Sequence, residues 1–153
     1  MTGAGPRLTG GLTILEQIQT DVTTAMKAGD RERVGALRLV LSELQKDAKE
    51  GAGDEQAVLR RERKRRRDAE QQYRDAGRDE LAAQEAFEAQ LIEGYLPAQL
   101  SDDELAVLVR AAIAATGASS PRDMGKAIGH VKAATGGRAD GARIAAKVKE
   151  RLT

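Results

Sequence analysis

The stretch Glu93-Gly-Tyr-Leu-Pro-Ala-Gln-Leu-Ser101 constrains the fold more than any other, because it is the one strong break between two runs of helical periodicity. Pro97 has no amide hydrogen, and its ring disfavours helical backbone angles at Leu96, so a helix arriving from Glu80 must end near Tyr95. Ser101 opens the next helix. Its hydroxyl can accept from the amide of Glu104 while the Glu104 carboxylate reaches back to the Ser101 amide, a reciprocal cap. The pattern predicts an N-terminal helical subdomain over 12–95 and a C-terminal one over 96–153. These would be separately cooperative and tied by the segment from Tyr95 to Leu100. Residues 1–11, with four glycines and a proline, are expected to form a disordered leader.

Both parts should be all-α. The apolar fraction is 41%, but 27 of those residues are alanine and only three side chains are aromatic, so about 36 larger apolar groups must fill the core. Alanine, Leu, Glu, Arg and Lys favour helices, and the β-branched and aromatic enrichment of strands is missing. The absence of cysteine rules out disulfides, thiolate metal sites and cysteine nucleophiles. No apolar run approaches the roughly 18 residues that would span a bilayer, and Met1 to Leu12 lacks the apolar segment of a signal peptide. The expectation is a cytoplasmic protein without membrane association.

The net charge of +1 hides an uneven distribution. Residues 1–116 carry 17 basic and 21 acidic side chains, whereas residues 117–153 carry 8 and 3, a local +5. A second basic island, Arg60-Arg-Glu-Arg-Lys-Arg-Arg-Arg67, contributes +6 inside the acidic part. Two basic islands thus sit on an acidic body.

In chain order, Thr13 and Glu16 form a capping box for a first helix with Leu15, Ile18, Val22, Ala25 and Met26 at helical spacing, stopped by Gly29. Asp30 caps a second helix whose stripe is Val34, Leu37, Leu41, Leu44 and Ala48, widened by Val40. Gly51 and Gly53 end it. Asp54 caps a third helix to Ala76, whose apolar positions are few (Ala57, Val58, Ala69, Tyr73, Ala76), so solvent should reach most of its circumference. A fourth starts at Asp79 with Leu81, Gln84, Glu88, Leu91 and Tyr95 on one stripe, flanked by Phe87 and Ile92. The short Ala76-Gly77-Arg78 link makes these last two an antiparallel hairpin.

Beyond the break, Leu105, Leu108, Val109, Ala112 and Ile113 line one helix face that ends at Thr116-Gly117. Ser120, Pro121 and Asp123 suit the start of the next helix. Its stripe of Met124, Ile128 and Val131 should share a core with Ile144 and Val148 of a last helix capped by Asp140, and Leu152 also points inward. Gly136-Gly137 separates the two, and Gly125 and Gly129 are expected to serve close packing.

No catalytic constellation is visible. His130 is the only histidine, so a histidine-based metal cluster or a two-imidazole relay cannot be built. The pairs Asp79-Glu80 and Asp102-Asp103 fall at helix starts, where carboxylates complement the dipole. No glycine-rich phosphate cradle follows a strand. The expectation is a protein with no catalytic residues, metal or cofactor of its own.

The segments Tyr95-Leu-Pro-Ala-Gln-Leu-Ser101, Gly117-Ala-Ser-Ser-Pro-Arg-Asp-Met-Gly-Lys126 and Gly137-Arg-Ala-Asp-Gly141 resemble signatures of the YqeY family, with likeness over roughly Leu12 to Leu152. The last third also resembles the tail domain of GatB, a subunit of the tRNA-dependent amidotransferase that converts Glu-tRNA or Asp-tRNA to the amidated form. The first half matches in layout, including a basic stretch like Lys64-Arg-Arg-Arg-Asp-Ala69. The resemblance implies an N-terminal long-helix hairpin bundle followed by a C-terminal three-helix GatB-tail-like module akin to a tRNA-contacting one. It also carries a label of carbon–nitrogen ligase with glutamine as amide donor, an activity expected only within a complex, since the likeness covers the tail of GatB and none of its catalytic cradle.

The expected function is therefore a non-catalytic, tRNA-associated accessory role. Candidate nucleic-acid contacts are Lys126, Lys132, Arg138, Arg143 and Lys147 in the C-terminal island and Arg63, Lys64, Arg66 and Arg67 in the basic run. Arg138 is expected to fork onto a phosphate at the glycine loop. Phe87, Tyr73 and Tyr95, the only side chains that could stack on a base, lie outside the C-terminal island, so contact there should be phosphate-dominated. Structural roles are expected for Tyr95, Pro97, Gly125, Gly129, Gly137, Asp140 and Gly141. The alternative is a module that docks a protein partner through the basic hairpin.

Overall fold

A computed structural model describes residues 12–51 and 53–153; the leader expected over residues 1–11 lies outside them. Among the described residues there are seven α-helices and no strand. The fold is all-α. The chain divides into two compact units, residues up to Leu96 and residues Pro97–Thr153.

The first unit contains α1 (Ile14–Lys27), α2 (Arg31–Glu50), α3 (Glu55–Asp75) and α4 (Asp79–Glu93). Local capping chemistry sets most of the starts. Thr13 and Glu16 form the capping box of α1, and the Asp30 and Asp54 carboxylates accept from Arg33 N and Ala57 N. Glu55, the first residue of α3, adds a long-range cap: its carboxylate accepts from the amides of Ile14 and Leu15 at 3.2 and 2.9 Å. The helix starts of α1 and α3 are thereby fastened together. Gly77, at φ +74°, makes the turn between α3 and α4, a conformation that costs a residue with a Cβ more than glycine.

The core of this unit gathers Ile14, Ile18, Val22, Leu37, Val40, Leu44, Val58, Leu59, Ile92 and Tyr95. Met26 and Leu81, expected inside, are 54% and 38% exposed, and Ala48 is also exposed. On α4 the inward positions are Ala82, Ala89 and Ile92, one residue on from the leucine-led stripe. Small alanines let α4 lie close against α3 along its length. The sparse apolar content of α3 is misleading too, because Val58, Leu59 and Glu62 are buried and Arg66 nearly so. Tyr95 packs into the core and donates its hydroxyl to the Asp21 carboxylate, which ties the chain leaving α4 to α1. Burial first, and then that carboxylate, push the Tyr95 phenol well above its usual range.

The second unit contains α5 (Asp102–Thr116), a 3₁₀ turn (Pro121–Asp123), α6 (Met124–Thr135) and α7 (Gly141–Leu152). Ser101 and Glu104 form the capping box of α5, and Asp140 caps α7 by accepting from Arg143 N. Pro121 opens a tight turn before α6 instead of its first α-helical residue, and the Asp123 carboxylate holds that turn by accepting from Ser119 N and Ser120 N. Leu105, Val109, Ala112, Ala127, Val131, Ile144, Val148 and Leu152 fill the core. Met124 and Ile128 only pack against its edge, while Ala127 joins the expected Val131 as a fully buried side chain of α6. Gly125 and Gly129 do not serve close packing among the described residues: a Cβ at either would meet nothing within 4 Å.

Candidate nucleic-acid interface

The basic run lies along α3, where it is largely neutralised by its own hairpin. From Glu55 to Glu93 there are nine basic and ten acidic residues, so the +6 run sits in a hairpin of net −1. Glu62, the one acid in the run, is fully buried, with its two oxygens 3.3 Å from Arg65 and Arg66. Arg66, only 12% exposed, also reaches Glu88 on α4 at 2.9 Å. Arg67 bridges Glu70 at 2.8 Å and Glu93 of α4 at 3.2 Å. Hydrogen bonds from Arg67 first, and then Arg74, hold the Glu70 carboxyl below the usual range.

These pairs set the register of α3 against α4. Glu85, on the same side of α4, has its carboxyl raised by burial first and then by the Glu88 charge, with Arg66 opposing. Arg66 is thereby withdrawn from the candidate nucleic-acid contacts: removing a near-buried guanidinium from two carboxylates would strand buried charge. Arg67 is half committed in the same way. Lys64 stays 77% exposed, with only the exposed Asp68 at 3.0 Å, and Arg63 is partly buried.

The C-terminal island divides differently. Arg138 Nε donates to Thr135 O at 2.8 Å, and its backbone carbonyl accepts from Leu100 N at 2.8 Å. Arg143 donates to Leu100 O at 2.9 Å and to the Asp102 carboxylate at 3.0 Å. Arg143 through its side chain, and Arg138 only through its main-chain carbonyl, therefore tie the start of α5 to the loop before α7, while the Arg138 Nε is turned onto its own loop instead of the expected phosphate fork. The glycine turn itself is left-handed, with φ +56° at Gly136 and +84° at Gly137, and closes α6 by that conformation. Lys126 points outward, 56% exposed and 3.9 Å from Asp123. Lys132 is exposed, with its Cε passing near Gly141. Lys147 is 26% exposed, 4.0 Å from Glu150.

Sequence reasoning missed Arg110. It stands alone in the apolar helix α5, yet it lines one cleft with Lys147 and Arg151 of α7. The i, i+4 spacing of Lys147 and Arg151 was the available signal on α7; nothing in the spacing around Arg110 announces its partners. Among the described residues no group of three or more His, Cys, Asp or Glu side chains could hold a metal ion, and no helix is long and apolar enough to cross a membrane. His130 is exposed on α6.

Fold and surface together define a class: an all-helical protein of two units, one carrying a self-paired charged hairpin and the other a scatter of outward cations. The pattern of the family described as Yqey-like protein matches residues 15–152, nearly the whole chain, and the chain belongs to the YqeY family. A comparison with curated proteins gave no match.

Proposed function

We propose that the protein is a non-catalytic, tRNA-associated accessory protein of the cytoplasm whose second unit reads the shape of a folded RNA through its phosphates. The observation that carries this reading is the +5 charge of residues 117–153, displayed on exposed Lys126 and Lys132 and on several side chains of α7. Phosphate contacts of this kind position a protein without reading bases, and the absence of an aromatic side chain from this part of the sequence fits that mode. Outward-facing Gly125 and Gly129 add bare helix surface beside Lys126. The relation to amidation chemistry is that of an RNA-contacting accessory, so glutamine, ATP and Glu-tRNA supplied to this chain alone should yield no Gln-tRNA.

The test is a titration of labelled tRNA at low salt, repeated as salt rises. Binding that weakens steeply with salt is expected; no binding at low salt contradicts the reading. Binding that is unchanged by salt would mean that phosphates do not carry the contact, which also contradicts the reading.

A further inference from the structure

Arg110 on α5 and Lys147 and Arg151 on α7 line one cleft of about 120 Å³, together with Ala106, Val109 and Glu150. Val109 is 1% exposed and belongs to the core, so one wall of the cleft is apolar. Three cations therefore converge on a recess that holds a single acid. Glu150 stands 4.0 Å from Lys147 and offsets one charge. No side-chain hydrogen bond or ion pair among the described residues engages the guanidinium of Arg110 or Arg151. The cleft carries a net +2.

An anion seated in this recess would meet a net +2, with two guanidinium groups that no acid among the described residues already holds. We propose that this cleft is a phosphate-binding site, with Arg110 and Arg151 forking onto the oxygens and Lys147 supplying a point charge. The recess is small, about 120 Å³, which suits a single phosphate group with whatever carries it lying outside the cleft. The site takes the group itself, whether free or as part of an RNA backbone. It rests on the tRNA reading only for the molecule that carries the phosphate.

The test uses the full chain and two probes. In the first arm, sodium pyrophosphate is titrated by NMR against sodium chloride of equal ionic strength, with wild type and the Arg110→Gln, Arg151→Gln double variant. Both arginines are exposed, so the fold should survive, and circular dichroism checks it. Shifts confined to the cleft in wild type, and at least about tenfold weaker in the variant, are expected. Shifts spread evenly over all cations, or unchanged in the variant, overturn the site. In the second arm, labelled tRNA is the probe. A weaker complex in the double variant assigns the cleft to an RNA phosphate. Failure of wild type to bind tRNA while pyrophosphate still binds leaves the cleft standing and removes the tRNA reading. Equal tRNA binding by both proteins, with no pyrophosphate site, overturns the cleft and spares that reading.

Discussion

The basic run of α3 and the scattered cations of the second unit make opposite use of positive charge. In sequence the run is by far the denser, yet its Arg65, Arg66 and Arg67 meet Glu62, Glu70, Glu88 and Glu93 within one hairpin of net −1. In the second unit no run exists, but residues Pro97–Thr153 hold nine basic against six acidic side chains, and several cations point outward. Charge density along a chain therefore says little about charge at a surface. The presence of acids three or four residues away, or on the helix packed opposite, decides whether cations are spent on the fold or left for a partner.

The most damaging way to probe this contrast is to break the buried network. Arg66→Ala should destabilise the first unit by about 3–5 kcal/mol, because Glu62 would keep its burial and lose a partner. Urea unfolding followed by circular dichroism measures it; a loss under about 1 kcal/mol would show that the network is only a solvated face. Next in size is the core of the second unit. Ile144→Ala should cost about 2–4 kcal/mol, and Ile128→Ala clearly less, because Ile128 only flanks the core. Equal losses in the same unfolding assay would contradict that placement.

How far these features could be read from the sequence follows the range of the forces behind them. The caps at Thr13, Asp30, Asp54, Ser101 and Asp140 were legible, because capping joins groups two or three residues apart. The break at Pro97 and the turns at Gly77 and Gly136 were legible for the same reason. The inward face of α4 was not. A stripe drawn through Leu81 favours bulk, whereas close helix packing selected Ala82 and Ala89. Burial of Glu62 was hidden inside seven basic neighbours, although its place on the line Leu59, Glu62, Arg66, Ala69 continues the stripe that α3 turns inward. The candidate site fared worse. Of the five cations expected to make contacts in the C-terminal island, Lys126 and Lys132 are exposed, but Arg143 serves as a clamp, Arg138 Nε is bonded within its own loop, and Arg110 gave no local signal.

Two smaller effects sharpen the comparison from each side. In the second unit, Gly129→Ala should stabilise α6 by about 0.5–1 kcal/mol, since the helix gains propensity and the added Cβ meets open space. Thermal melting measures the gain, and a lower melting temperature would mean that the space is not open. In the first unit, Glu85→Gln should raise stability at neutral pH. The folded-state value of the Glu85 carboxyl is raised by burial. Its ionisation therefore opposes folding at neutral pH, and the penalty fades as pH falls through that value. The variant should gain at pH 7 and little near pH 4; a gain that grows towards low pH would reverse the assignment.

The most direct measurement is a tRNA titration over a range of salt with three proteins: wild type, Arg61→Gln with Lys64→Gln on α3, and Arg110→Gln with Arg151→Gln on the second unit. Each double variant removes two exposed cations, so net charge changes equally. Because the hairpin as a whole carries a net −1, the α3 variant should stay within about twofold of wild type. The second-unit variant should bind about tenfold more weakly, with a log–log salt slope shallower by roughly 1.5 to 2. A larger loss from the α3 pair than from the second-unit pair would contradict the account.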